Sequence, residues 1–133
     1  MIKTPLFKRA FALLFLVGLC AVIADTFYLY SAYWWTDTLV HFFAAVTVAT
    51  ASISVWSFYT KSSLGVGKCI ALGLFFTLIV GVLWESYELY FGIEKISDGM
   101  YYLVDTTSDL MLDTCGGIFG ALYSHLVLNK NNV

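Results

Sequence analysis

Acidic residues and one histidine recur at helical spacing within otherwise apolar stretches of this 133-residue chain. Asp37 and His41 are four residues apart, and Glu85 and Glu88 are three apart, so each pair shares one face of a helix. A longer series at strict four-residue spacing consists of Asp105, Asp109 and Asp113. Carboxylates with one imidazole suit Mg²⁺, Mn²⁺, Fe²⁺ or Zn²⁺, so these residue types predict a divalent-metal site. The spacing does not select the metal.

The composition places these residues in a membrane. The chain is 60% hydrophobic and 12% charged, with a mean hydropathy of +0.82. A soluble domain has about a quarter of its residues charged, so the few charges here could not cover the surface of a globule. The composition therefore excludes disulfide-rich secreted, disordered and nucleic-acid-binding proteins, and we expect membrane lipids and no nucleic acid as partners.

Four stretches have the length and apolar character that crossing a hydrocarbon core of about 30 Å requires. They lie at about 6–30, 37–59, 69–91 and 105–128. No linker is long enough to separate two domains, so we expect one transmembrane domain over 1–133. The predicted fold is an all-α bundle of four transmembrane helices.

The charges are distributed asymmetrically about these spans. Six of the seven basic residues fall on one side, namely Lys3, Lys8, Arg9, Lys61, Lys68 and Lys130. The positive-inside rule therefore predicts that both termini are cytoplasmic. All nine acidic residues then map to the outer loops or the outer halves of the spans. Of these, Asp25, Glu94 and Asp98 are expected to be solvated loop or headgroup charges.

The first span has an alternative interpretation as a cleavable signal peptide. A basic start, an apolar run from Ala10 to Ala24, and small residues at Ala21 and Ala24 fit that pattern. The apolar character continues through Tyr30 to the length of a full span, which favours an uncleaved helix. N-terminal sequencing that finds Asp25 first would contradict this preference.

The paired acids are predicted to meet in one layer of the membrane. At about 1.5 Å rise per residue, five of these residues lie roughly 5 to 12 Å below the outer ends of their spans, namely His41, Glu85, Glu88, Asp109 and Asp113. No Lys or Arg lies inside a span to neutralise them. A bound divalent metal or shared protons would relieve the repulsion between these desolvated carboxylates. The alternative is that they serve as interhelical hydrogen-bonding groups, and Asp37 and Asp105 could simply stabilise helix N-termini.

Other residues favour structural roles. Gly116, Gly117 and Gly120 form a small-residue surface for close helix packing on the fourth span. The three cysteines are isolated in different spans, and we interpret them as packing residues.

Three short motifs occur in order on successive spans. They are Asp37-x-x-x-His41-Phe42-Phe43, Trp84-Glu85-x-x-Glu88 and Asp105-Thr106-x-x-Asp109-Leu110. In this order, over about Asp37 to Gly120, they resemble the YjdF-like family of small bacterial membrane proteins, and more remotely the VanZ-like proteins. The resemblance implies a helical bundle with a polar site in the bacterial inner (plasma) membrane, but it names no reaction.

Three functions remain open. The first is a divalent-metal-dependent enzyme acting on a lipid or lipid-linked substrate, with Glu88 or His41 as the general base. Its metal ligands are expected among Asp37, His41, Glu85, Glu88, Asp105, Asp109 and Asp113. The second is a cation- or proton-coupled transporter or channel. The third is a non-catalytic membrane subunit or resistance factor, and with only four helices a homodimer is compatible with all three.

Overall fold

The computed structural model describes residues 5–60 and 64–130. Within these ranges every regular element is helical, and four helices are long and apolar enough to cross a membrane. The prediction of an all-α bundle with four spans is therefore confirmed. Lys3 and Lys61, two of the six basic residues used for the orientation, lie outside the described residues.

The long helices are α1 (Pro5–Thr26), α3 (Trp35–Thr60), α4 (Val66–Phe91) and α5 (Met100–Lys130). A four-residue helix, α2 (Leu29–Ala32), follows α1, and a 3₁₀ turn at Ile96–Asp98 precedes α5. The helix bounds differ from the predicted spans mainly at two places, the end of the first and the beginning of the fourth.

The first helix ends at Thr26 rather than continuing to residue 30. The backbone at Tyr28 adopts the left-handed conformation, with φ of 54°, which a continuous α-helix cannot accommodate. The fourth helix begins five residues earlier than predicted, at Met100, directly after Gly99, whose φ is positive at 63°. Asp105 therefore lies in the second turn of α5 and not at its N-cap.

Three of the four long helices build the body of the bundle. Helix α5 packs against both α3 and α4, while α1 packs mainly along α3 and touches α5 only slightly. We call the end where α3 and α5 begin and α4 ends the acidic end, and the opposite end the basic end. No side chain of α1 belongs to the acid and histidine pairs, so its peripheral position leaves them unaffected.

Small residues of α5 allow the helices to approach closely. A Cβ atom at Gly116 would overlap the backbone carbonyl of Phe42 on α3, and one at Gly120 would lie 2.6 Å from the carbonyl oxygen of Val46. At Gly117 it would lie 2.5 Å from the hydroxyl of Thr77 on α4. The predicted packing surface on α5 thus contacts both neighbours, and it holds the polar faces of the three helices together.

The basic end is closed by apolar side chains. Its buried cluster comprises Leu6, Ile53, Leu64, Cys69, Ala121 and Val127. His125 also lies here, where its Nδ1 is 3.1 Å from the carbonyl oxygen of Leu64 and its Nε2 is 3.0 Å from Nδ2 of Asn129. It is therefore far from the acidic end, as predicted, and all three cysteines are free thiols.

Candidate functional site

His41 lies at the centre of a group of carboxylates contributed by α3 and α5. Its Nε2 is 3.8 Å from Oδ1 of Asp37 and 3.8 Å from Oδ2 of Asp109. Its Nδ1 faces the other way and lies 3.5 Å from Oδ1 of Asp113. We call these four residues the histidine group.

Local sequence explains how each helix presents these side chains. Asp37 lies in the first turn of α3, where a carboxylate interacts favourably with the helix dipole, and His41 follows one turn later on the same face. Asp109 and Asp113 are likewise one turn apart on α5, and both face the interior, with 4% and 5% of their surface exposed. The group is therefore assembled from two i, i+4 pairs on helices held together by Gly116.

Asp113 occupies a narrow space between α3 and α4. Its Oδ1 faces His41, while its Oδ2 is buried without a hydrogen-bond partner and faces Gly81. A Cβ atom at position 81 would overlap this oxygen. The absence of a side chain at Gly81 therefore makes room for a carboxylate that contacts the histidine.

Helix α4 contributes a second group of carboxylates. One oxygen each from Glu85, Glu88 and Glu94 lies within 4.8 Å of the other two, and we call these three residues the glutamate group. Glu85 lies on the buried stripe of α4, one turn beyond Gly81, with 6% of its surface exposed. Glu88 and Glu94 are half-buried.

The inclusion of Glu94 differs from the expectation of a solvated loop charge. Helix α4 ends in a Schellman motif in which Gly92 is left-handed (φ 69°) and the amide of Ile93 donates to the carbonyl of Glu88. The amide of Glu94 donates to the same carbonyl, so the chain folds back over the last turn and returns Glu94 to Glu88. A glycine followed by an isoleucine at the end of an apolar span is the sequence signal that could have indicated this reversal.

Burial has an electrostatic effect on Glu94, which lies outside the spans. Desolvation, a side-chain hydrogen bond with Asp105 and the charges of Asp105, Glu88 and Glu85 raise its pKa from 4.5 to about 8. Asp105, predicted as part of the common cluster, thus contacts the glutamate group and not the histidine.

The two groups are electrically coupled neighbours. The carboxylate of Glu88 interacts with Asp37 and His41 as well as with Glu85. The carboxylate of Asp109 interacts with His41 and Asp37, and also with Glu85. All seven predicted residues therefore lie at the acidic end, as the depth argument predicted, but six of them divide between the two groups and Asp105 lies beside Glu94. Their roles as ligands or catalytic groups stay predictions.

An aromatic residue that the sequence analysis assigned no function adjoins the histidine group. The ring of Trp84 meets the ring of His41 edge-on, with centroids 6.5 Å apart, and it stacks on Tyr87 at 5.4 Å. Trp84 directly precedes Glu85 in the motif of the third span. Its ring therefore places an aromatic edge beside the imidazole on the α4 side.

The geometry of the histidine group is suited to holding a divalent cation. Asp37, His41 and Asp109 each offer a ligand atom, and these atoms lie within 4.8 Å of one another. The side chain of Asp37 is 37% exposed, whereas those of His41 and Asp109 are buried, so the group is accessible from the Asp37 side. Lys95 is the one Lys or Arg that the described residues place at this end, and it is exposed.

Comparison with known proteins identifies the family of this chain. Residues 2–130 match the family described as "Predicted membrane protein (DUF2238)". No curated protein and no solved structure matches the chain. The match covers nearly the whole sequence and agrees with the four candidate spans. The chain therefore belongs to the DUF2238 family of predicted membrane proteins.

Proposed function

We propose that this protein is a divalent-metal-dependent membrane enzyme that acts on a lipid or lipid-linked substrate at the outer leaflet. The observation that carries the proposal is the convergence of Asp37, His41 and Asp109 at one point within the spans, with only Asp37 open to the exterior. Buried carboxylates without a basic partner need a cation or protons. A histidine among them favours a metal over protons alone.

The residues of the site would have distinct roles. Nε2 of His41 and the carboxylates of Asp37 and Asp109 would hold the metal, and three protein ligands leave positions for water and substrate. Asp113, which faces the opposite ring nitrogen, would orient the imidazole as carboxylates do behind many metal-bound histidines. Glu88, half-buried beside the group, would act as the general base. The metal would supply the positive charge that phosphate sites usually take from Arg or Lys, and would lower the pKa of bound water.

The basic half of the bundle favours this function over a transporter. A transport path needs polar groups that line both halves of the membrane. The hydroxyls of Thr47, Thr50 and Ser124 instead donate to carbonyls of their own helices, at 2.7 to 2.8 Å. The apolar cluster around Ile53 and Leu64 then closes the basic end.

The proposed orientation is based on the charges of the described residues. Lys8, Arg9, Lys68 and Lys130 all lie at the basic end, which we place at the cytoplasmic face of a bacterial inner membrane. The acidic end then faces the outer leaflet.

We also propose that the chain is related to the YjdF-like proteins, and more remotely to the VanZ-like ones. The three motifs around His41, Glu85 and Asp109 support this relationship.

Elemental analysis tests the metal directly. Wild-type protein, purified from membranes without chelator, should hold a stoichiometric divalent metal, which His41→Ala and Asp109→Asn should lose. His125→Ala is the matched control for the histidine, because its ring contacts only the basic end. A wild type without metal, which also binds none on titration, would contradict the proposal.

Activity requires a second measurement. Protein reconstituted in vesicles of a bacterial lipid extract should generate a new lipid product, detected by mass spectrometry, that is absent with His41→Ala.

Transport is tested in the same vesicles. Cation- or pH-driven flux abolished by Glu85→Gln, without any lipid product, would favour a transporter.

A further inference from the structure

Glu85 presents a buried carboxylate that nothing in the described structure neutralises. It is 6% exposed, and neither Oε1 nor Oε2 has a hydrogen-bond partner. An ionised carboxylate buried in this way is very unfavourable unless it is paired with a cation or coordinates a metal. This unpaired side chain lies within the glutamate group.

The neighbours of Glu85 are oxygens rather than donors. One oxygen each from Glu85, Glu88 and Glu94 lies within 4.8 Å of the others. Oε2 of Glu94 is also buried and has no hydrogen-bond partner. At least three unpaired oxygens, two from Glu85 and one from Glu94, are therefore buried at one place, with no Lys, Arg or His among the contributing residues.

We propose that the glutamate group is a second cation site, separate from the histidine group and selective for a hard divalent cation such as Mg²⁺ or Mn²⁺. Its ligands would be the carboxylates of Glu85 and Glu94, whose buried oxygens lack partners, while Glu88 beside them would remain free to act as the base. Oxygen-only sites favour Mg²⁺, Ca²⁺ and Mn²⁺ over Zn²⁺. The imidazole of the histidine group, in contrast, suits Zn²⁺ or Fe²⁺. Two sites of different ligand chemistry thus lie side by side at the acidic end.

Different elements build the second site. Glu85 and Glu88 lie on one face of α4, and the Schellman motif at Gly92 brings Glu94 back to them. The histidine group uses only α3 and α5. Removing one site should therefore leave the ligands of the other in place. The inference deepens the proposed function, since two adjacent cations can clamp a negatively charged substrate that one could only polarise.

Counting bound Mn²⁺ tests the second site. The full-length protein, in nanodiscs of phosphatidylcholine to avoid anionic headgroups, is stripped with a chelator and titrated with Mn²⁺, and free Mn²⁺ is measured by electron paramagnetic resonance. We expect two Mn²⁺ per wild-type chain. Glu85→Gln and Glu94→Gln should each bind one Mn²⁺, at the histidine group. His41→Ala should also bind one, at the glutamate group. Asp25→Asn, an exposed acid on α1, removes the same charge as a control and should bind two.

Each result separates the two proposals. One Mn²⁺ per chain that His41→Ala abolishes and Glu85→Gln preserves would overturn the second site and leave the proposed function standing. One Mn²⁺ that Glu85→Gln abolishes and His41→Ala preserves would support the second site alone. Equal stoichiometry in wild type, Glu85→Gln and Glu94→Gln would show that the glutamates are buried as neutral acids, which overturns the inference. Glu94 lies in a loop outside the spans, so Glu94→Gln still tests the second site where Glu85→Gln fails to fold.

Discussion

The two ring nitrogens of His41 face different residues, and in the proposed metal site this asymmetry would give them different roles. Nε2 faces Asp37 and Asp109, which come from two helices, while Nδ1 faces Asp113 alone. Four-residue spacing on α5 made Asp109 and Asp113 look equivalent. The structure distinguishes them, because Asp113 lies one turn farther from the acidic end and its Oδ2 packs against Gly81 of α4.

Asp113→Asn tests this difference at the residue scale. Asn keeps the shape of the side chain but removes the charge that orients the imidazole, so Zn²⁺ affinity should fall by about 10- to 100-fold with unchanged stoichiometry. Asp109→Asn should instead remove a ligand and the bound metal. Competition against a chromophoric chelator measures both variants, with Asp98→Asn as an exposed control. Loss of stoichiometry in Asp113→Asn would show that Asp113 is itself a ligand, and unchanged affinity would show that it has no part in binding.

At the scale of the elements, the close approach of α3 and α5 determines whether the histidine group can form. Gly116 contacts the backbone of α3 at Phe42, the residue directly after His41. Backbone atoms cannot move aside as the end of a flexible side chain can. The spacing between these helices is therefore set directly beside His41 on α3 and one turn beyond Asp113 on α5.

Gly116→Ala should destabilise the protein, because its methyl group would overlap the carbonyl of Phe42. Overpacking of this kind costs about 1 to 3 kcal/mol, and the midpoint of thermal unfolding in detergent should fall. Gly18→Ala on α1 is the matched control, because no atom outside its own helix segment lies within 4 Å of the added Cβ. It should be neutral, or stabilising by up to about 1 kcal/mol, because alanine is the better helix former. Equal midpoints for the two variants would contradict the packing account.

At the scale of the whole molecule, opposite charges are concentrated at opposite ends. The described basic residues other than Lys95 lie at the basic end, and both acidic groups lie at the other. Most of α1 presents large apolar side chains on the surface of the bundle. The charges of the bundle are therefore polarised along its long axis, and its polar site lies at one end.

Thiol labelling tests the orientation that this polarity predicts. In a background in which Cys20, Cys69 and Cys115 are replaced by Ala, Asp98→Cys should react with a membrane-impermeant maleimide in intact cells. Lys130→Cys should react only after permeabilisation, because its end is cytoplasmic under the positive-inside rule. The opposite pattern would place the acidic site at the cytoplasmic face.

Much of the architecture is determined by local sequence. Apolar length determined the four spans, and helical periodicity predicted that His41, Glu85 and Asp109 share an environment at one end of the bundle. A span depends on about 20 consecutive residues and a polar face on a spacing of three or four, so both features can be derived from the sequence within one helix. The same local logic failed where a single residue changed the backbone, as at Tyr28, which ends the first helix early.

Tertiary structure decided how the polar residues are grouped. Periodicity determines which face of a helix is polar, but it does not determine how far neighbouring helices are shifted or rotated against each other. Close contacts at Gly81 and Gly116 set those shifts, and they direct Asp113 to the far side of His41. The chain reversal at Gly92 brings Glu94 next to Glu85 and Glu88, although its position in the sequence indicated only a solvated loop. The sequence alone therefore determined that acids and a histidine meet at one end of a membrane bundle, whereas packing between helices, which no single helix encodes, decided that they form two separate groups.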